Sequence, residues 1–505
     1  MTDDTTRGGV AGFVAAGLAL AIGELVAGVV EGVPSPVASV GGFVVDRAPP
    51  FLEDFAIGLF GTADKIALAV GILVISLAIG WFAGVLTLSR PWVGAVVFGG
   101  FGLIGGLVGV DDPLAEPALV VGSMLVATGG GIGALYFLLA ASRAVEEPTD
   151  ALAVDAARRR FVTLAAAGGS MALLAGAVGR RMLTRIPPPP AAALPAPRTT
   201  VPLPAAANSF DIPGLAPVVT PNDLFYRIDA ALVVPRVSAA GWSVLVHGMV
   251  DNEVRLTYDD ILAMDLVEEY VTLACVSNEV GGDLVGNAKW TGVRLTEILD
   301  RAGVQPGADQ IVGRSVDHWT AGFPTDLAFD GREPLLAIGM NGEPLPLVHG
   351  FPARIVVPGL YGYVSATKWL SDIRLTTWDS FDAYWVPRGW AKEGPIKMQS
   401  RIDVPRNRAS VGTAATVAGV AWAPLDGVEA VEVRVDEGEW QPAELTEPLS
   451  SKSWVQWRAT LDLAPGTRTI EVRVVDGSGK VQTAEPASPR PDGATGYHRV
   501  VVTAA

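Results

Sequence analysis

Thr272-Leu273-Ala274-Cys275-Val276-Ser277-Asn278-Glu279-Val280-Gly281-Gly282 is the stretch on which the reading of this chain turns. Cys275 is the single cysteine in 505 residues, which excludes an intrachain disulfide. The apolar run from Tyr270 to Ala274 reads as a buried strand, and the polar, glycine-containing run after it as a loop. A thiol at a strand end is one that a loop can present to a bound molecule. Taken alone, a lone cysteine is a small buried core side chain; its companions change that reading.

Asn287-Ala288-Lys289-Trp290-Thr291-Gly292-Val293 follows closely, and His349-Gly350-Phe351-Pro352-Ala353-Arg354 and Lys368-Trp369-Leu370 lie further on. With the Cys-x-x-Asn of Cys275 and Asn278, these motifs resemble the molybdopterin domain of the sulfite oxidase family, over roughly residues 205–505. The resemblance implies that Cys275 ligates molybdenum, a role suited to a soft thiolate on a metal that changes oxidation state. It implies that His349 and Arg354 hold the pterin and its phosphate, and that Ala366, Thr367 and Lys368 close over the same phosphate. The resemblance further implies that Asn278 and Asp317 contact the cofactor and that Asn222, Phe225 and Tyr226 belong to a segment lying along the pterin. One soft ligand, several cations for a phosphate and aromatic edges for a flat heterocycle form a coherent set.

Two departures bear on substrate. The family places basic residues shortly after the cysteine, where this chain has Glu279 and Val280. Ile228 stands where the family has a substrate arginine, with Arg227 beside it. Sulfite is therefore not the expected substrate. Arg227 and Arg388 are the candidate catalytic cations, the latter in Tyr384–Lys392, where relatives bring a tyrosine toward the metal.

Half of the residues are hydrophobic, and the excess lies in residues 10–180. Val10–Val30, Ile66–Leu88, Pro91–Val110, Ala118–Ala141 and Phe161–Val178 are each long enough to span a bilayer, at about 20 residues apiece. Glu24 interrupts the first, as a proton site, a contact or a helix-packing residue. Arg7, Arg90, Arg143 and Arg158-Arg159-Arg160 fall on one side of alternating helices, while Glu53, Asp54, Asp111, Asp112 and Glu116 fall on the other. The positive-inside rule then places the N-terminus in the cytoplasm and the chain after the fifth helix outside. Arg158-Arg159-Arg160-Phe161 reads either as a twin-arginine export signal or as an ordinary basic stop. The four histidines, His247, His318, His349 and His498, all lie beyond the fifth helix, so no bis-histidine haem is expected in the membrane part.

Pro187–Pro190 opens a stiff, extended spacer. From about Ile402, alternating strands separated by Asp-Gly and Gly-Ser turns indicate an immunoglobulin-like β-sandwich, a position where relatives often dimerise. The net charge of −16 argues against nucleic acid.

The expected organisation is a membrane α-helical bundle (1–182), a Pro/Ala-rich linker (183–204), an α+β sulfite-oxidase-like molybdopterin domain (205–400) and an all-β sandwich (401–505). The expected function is extracytoplasmic oxygen-atom transfer on a small-molecule substrate. Membrane lipid surrounds the helices, an external electron-transfer protein takes the electrons, and a homodimer is a further expected partner. The competing reading is a non-catalytic envelope binding or assembly protein that retains the fold.

Overall fold

The computed structural model describes residues 2–49, 52, 55–56, 59–60, 63–143, 151–185 and 194–505. The chain falls into two compact units: Met1–Ile186 with Ala230–Pro235, and Pro187–Asp229 with Arg236–Ala505. The Pro187–Pro190 run lies outside the described residues, as do Glu53 and Asp54.

The first unit is helical, with α1 Thr2–Val29, α2 Pro36–Arg47, α3 Asp64–Ser89, α4 Trp92–Val110, α5 Pro117–Arg143 and α6 Ala151–Thr184. All but α2 include a stretch long and apolar enough to cross a membrane, in the places read from sequence. Half of the apolar window of α1 is buried, against at most 28% in the others, so α1 is the centre of the bundle. Glycines permit its close packing. A Cβ on Gly12 would strike the Gly80 carbonyl, and one on Gly84 the Gly8 carbonyl; Gly8/Gly12 and Gly80/Gly84 form facing small-xxx-small pairs. The outer helices turn large apolar side chains such as Leu125, Leu173 and Ile66 outward.

Helix α2 was not legible in the sequence. Its N-cap is Ser35, whose hydroxyl accepts from the Ala38 amide at 3.1 Å and donates to Glu24 Oε1 at 2.5 Å. The same carboxylate oxygen accepts from the Val37 amide at 3.3 Å. Glu24 is buried, and with Ser35 it satisfies two of the orphan amides at the α2 N-terminus. Of the roles open to it, these bonds are those of a helix-packing residue.

In the second unit the chain joins the sheets early. Leu194 packs on the core, and the Arg198 amide donates to Leu266 O and the Glu268 amide to Thr199 O, at 2.7 and 2.9 Å. The stretch expected to be the end of a spacer is thus bound to a sheet edge from Leu194 onward.

Ten strands follow: β1 Ser243–Gly248, β2 Val254–Thr257, β3 Val267–Ala274, β4 Val285–Arg294, β5 Gln310–Ser315, β6 Thr320–Pro324, β7 Leu335–Met340, β8 Glu343–Pro344, β9 Arg354–Val356 and β10 Leu370–Thr376. One sheet runs β2-β1-β10-β5-β6, with β1 and β10 parallel. The other runs β3-β4-β7-β8, with β9 on β7. Helices α7 Tyr258–Leu262, α8 Leu295–Ala302 and α9 Gly362–Ser365 connect them. The apolar face of α8 (Leu295, Ile298, Leu299, Ala302) is fully buried, at the 3–4 spacing that puts these residues on one side of a helix. The mixed α+β architecture matches the expectation.

The remaining strands are β11 Gln399–Val404, β12 Ser410–Val411, β13 Ala414–Trp422, β14 Val428–Val435, β15 Gln441–Pro442, β16 Glu444–Leu445, β17 Val455–Asp462, β18 Gly466–Asp476 and β19 His498–Ala504. They form two sheets, β11-β13-β17-β16 and β12-β19-β18-β14-β15. A shared core includes Val417, Trp457, Val431 and Val472, as inward positions of alternating strands require. Within the unit, the loop before β17 braces β3. Thr272 N donates to Lys452 O at 3.0 Å, Trp454 N to Thr272 Oγ1 at 2.8 Å and Trp454 Nε1 to Val218 O at 2.8 Å.

Candidate active site

Strand β3 is buried along almost its whole length and ends at Ala274, which delivers Cys275 to the edge of the core. The Cys275 amide donates to Leu284 O at 2.9 Å, and its carbonyl accepts from the Asn278 amide at 3.1 Å. Asn278 closes the loop, its Oδ1 accepting from the Leu284 amide at 2.8 Å. The thiol lies 2.8 Å from Ser277 Oγ. Burial pushes the thiol pKa upward, with the Ser277 contacts opposing it. A sulfur so placed becomes a thiolate readily only when a cation binds it.

Around Cys275 the fold gathers residues that are distant in sequence. The segment Thr220–Tyr226 is tied to β4 through Thr220 N to Asn287 O at 2.7 Å. The Phe225 ring lies over Gly286, where a Cβ would come within 2.8 Å of it. Phe225 stacks on Tyr226 and meets Trp290 and His349 edge-on, at centroid separations of 5.2, 5.8 and 5.6 Å. His349 Nε2 is 2.7 Å from Asn222 O; the carbonyl can only accept, so Nε2 carries the proton. Burial lowers the His349 pKa to about 4, and Arg354 and Arg227 act in the same direction. The imidazole is therefore neutral at physiological pH.

Arg354 is buried, with its guanidinium 4.9 Å from the Trp290 ring. Nη1 donates to His349 O at 3.2 Å. Its Nε has no partner among the described residues, and burial lowers its pKa to about 10. Thr367 is fully buried, its carbonyl bonded to the Ile355 amide at 3.0 Å and its Oγ1 likewise unpartnered. Ser315 Oγ and Trp319 Nε1 are further buried atoms without a partner among the described residues. Buried donors are normally satisfied. The donors of Arg354 on β9 and of Thr367, whose carbonyl is bonded to β9, fit a ligand rich in acceptor oxygens, such as a phosphate-bearing pterin. Together with a single soft sulfur, these residues fit the molybdenum cofactor.

Two tyrosines feel the Cys275 sulfur. Tyr226 has its phenol pKa raised by burial and then by Cys275, with Arg354 opposing. Tyr361 is raised to about 12, by burial first and also by Asp492 and Cys275. A Cβ added at Gly362 would lie 3.9 Å from both Ala274 O and Tyr226 Oη, which places the start of α9 beside the strand end. Tyr361 was not among the residues singled out from sequence; a lone Tyr after Pro358-Gly359 carries no pattern.

The remaining predicted residues divide. Lys368 binds Asp229 and lies 3.3 Å from Val348 O and 3.4 Å from Ile228 O. Arg227 Nε donates to the same Asp229 at 2.5 Å. Asp229 was missed, although an acid two residues after an arginine is a visible signal. Ala366 is buried, its amide bonded to Gly362 O. Asp317 Oδ1 accepts from the Trp319 amide at 3.2 Å, a turn bond. Arg388 donates to Tyr384 O at 2.8 Å and lies 3.7 Å over the Tyr384 ring. Glu279 is exposed and, with Val280, lines a cleft of about 390 Å³ whose other walls come from residues 484–499. Cys275 is not among the residues lining that cleft.

The model of the oxidoreductase molybdopterin binding domain matches residues 231–385. The uncharacterized oxidoreductase YuiH of Bacillus subtilis is 35% identical over 153 residues, covering 30% of this chain and 74% of that protein. Human mitochondrial sulfite oxidase is 28% identical over 314 residues, covering 52% of this chain and 57% of its own length. The chain thus spans little more than half of that relative. Among solved structures, the sulfane dehydrogenase SoxCD of Paracoccus pantotrophus has a TM-score of 0.49 at 22% identity, covering 56% of this chain and 81% of that one.

Proposed function

We propose, from the premise that this chain belongs to the family of oxidoreductase molybdopterin-binding domains, that it is a membrane-anchored molybdenum oxidoreductase. Its substrate is small, its redox partner is a separate protein, and the catalytic unit works on the extracytoplasmic side. When bound, the molybdenum cofactor supplies two-electron oxygen-atom exchange. The chain's own residues do the rest. Cys275 is the fixed protein donor to the metal. Arg354 Nε and Thr367 Oγ1 offer donors to the cofactor's phosphate. Phe225, Trp290 and neutral His349 supply aromatic surface to its rings. Tyr226 and Tyr361 keep their phenol protons at neutral pH and so remain donors on the sulfur side of the pocket.

The observation that carries this reading is the Nε of buried Arg354, without a partner among the described residues, on a guanidinium that acts on the same Tyr226 phenol as Cys275 does. A chain that kept the fold without the cofactor would leave that donor desolvated at a cost of about 1–3 kcal/mol. Five apolar helices support the anchoring. Metal analysis of the purified full chain, together with a dye-linked assay, tests the proposal. Molybdenum near one atom per chain is expected, and its absence from protein made in a cofactor-producing host would leave the non-catalytic reading.

A further inference from the structure

We propose that the sandwich loop 450–454 is a positioning element of the Cys275 site, an assignment that rests on the cofactor reading of that site. The strand that delivers the cysteine, β3, lies at the edge of its sheet, with β4 as its strand partner. Alternate residues of an edge strand turn their backbone groups to the open side. There the Glu268 amide donates to Thr199 O at 2.9 Å. Nearer the cysteine, the loop takes the place of a strand. Ser450 Oγ donates to Tyr270 O at 2.8 Å, and Lys452 O accepts from the Thr272 amide at 3.0 Å. Lys452 Nζ adds ion pairs to Glu269 and Glu333 at 3.2 and 3.3 Å. The open edge is thus held by the sandwich to within three residues of the sulfur.

A buried network carries the same hold to the aromatic wall of the site. Thr272 is fully buried. Its Oγ1 accepts from the Trp454 amide at 2.8 Å and donates to Asn287 Oδ1 at 3.1 Å. Asn287 Nδ2 donates to Val218 O at 2.8 Å. The Asn287 amide donates to Thr220 Oγ1 at 3.1 Å, and its carbonyl accepts from the Thr220 amide at 2.7 Å. Trp454 Nε1 donates to the same Val218 O at 2.8 Å. Loop, β3, β4 and the segment leading to Phe225 and Tyr226 therefore meet at one bonded point. Bonds of this kind, one layer behind the donor atoms, fix the orientation of a metal ligand. Removing Thr272 Oγ1 leaves both the Trp454 amide and Asn287 Oδ1 without that partner, whereas Thr272→Ser keeps the hydroxyl.

Native-state hydrogen exchange on the full chain, resolved by peptide, tests the assignment. Thr272→Val should lower the protection of residues 273–284 at least about tenfold, and Thr272→Ser should restore it. The control is Val431→Ala, in the sandwich core on the sheet opposite that of β17. It should loosen β14 and leave residues 273–284 within about twofold of the natural chain. Equal loss of protection in the two variants is general loosening and overturns the assignment, as does unchanged protection in Thr272→Val. In molybdenum-loaded samples, the g-values of the one-electron-reduced metal follow the orientation of its sulfur donor. They should shift in Thr272→Val and keep their natural values in Thr272→Ser and Val431→Ala; unshifted values in Thr272→Val overturn the assignment. If Thr272→Val does not fold, Ser450→Ala decides. It removes the donor to Tyr270 O and should cost the same peptides about threefold in protection, and no loss there overturns the assignment. Molybdenum content of the natural chain judges the cofactor reading by itself, and the exchange comparison is made with or without the metal.

Discussion

At the scale of single residues, the site couples one sulfur to its desolvation. Cys275 is buried with an upward-shifted thiol, which suits a ligand to a bound metal and makes a freely ionised nucleophile unfavourable. Cys275→Ala removes a small side chain against which little else depends, so the fold should persist. Dye-linked turnover should fall by at least about a thousandfold, while pterin released from the denatured protein stays near the natural amount because Arg354 and Thr367 are untouched. Full turnover in this variant would exclude Cys275 as the metal ligand.

At the scale of elements, two packing devices are open to measurement. In the sandwich, His498 Nδ1 accepts from the Ile402 amide at 2.9 Å, pinning β19 to β11. Burial first, and Arg401 second, lower its pKa to about 4, with Asp403 opposing. The unfolded chain, with a His pKa near 6.5, takes up this proton before the folded one does. The stabilisation is therefore complete above pH 6.5 and lost as pH falls toward 4. His498→Gln keeps an acceptor without a proton site. Thermal melts from pH 7 to 4.5 should show the variant losing less stability, by up to about 1.4 kcal/mol for each pH unit of that window. Equal slopes would remove His498 from the account.

In the helical unit, Gly8 and Gly12 of α1 face Gly80 and Gly84 of α3 so closely that a Cβ has no room. Gly84→Val should separate the helices at their crossing and lower the melting temperature in detergent by several degrees, a cost of about 1–3 kcal/mol. Gly99 and Gly71 have nothing within 4 Å of a Cβ, so Gly99→Ala serves as a control that leaves the melt unchanged.

For the whole molecule, the proposed arrangement has the N-terminus inside and residues after α6 outside. A reporter enzyme active only outside the cytoplasm, fused after Ala505, should be active; a silent reporter with an active cytoplasmic one in its place reverses the topology. Lysines at Arg158, Arg159 and Arg160 keep the charge. They should block delivery of the folded catalytic unit under the twin-arginine reading, and leave it intact under the basic-stop reading. Activity of the exported reporter in the triple-lysine chain distinguishes the two.

What the sequence determined by itself was periodic or contiguous. Five apolar runs gave five helices because bilayer-length hydrophobicity needs no tertiary partner to be recognised. Alternation gave the strands of the sandwich, and the fixed spacing of His349 and Arg354 placed both at one site, the arginine bonded to the histidine carbonyl. Tertiary structure alone decided where charges and hydrogen bonds ended. Glu24 caps α2 through Ser35, eleven residues away, and nothing in a lone membrane carboxylate names its partner. Lys368 and Arg227 are 141 residues apart in number and share one buried carboxylate, Asp229. Glu279 follows Cys275 by four positions, yet the loop closed by Asn278 turns it onto a cleft with residues 484–499. Pairing between charges is set by distance through space, and the chain encodes that distance only once its sheets have closed.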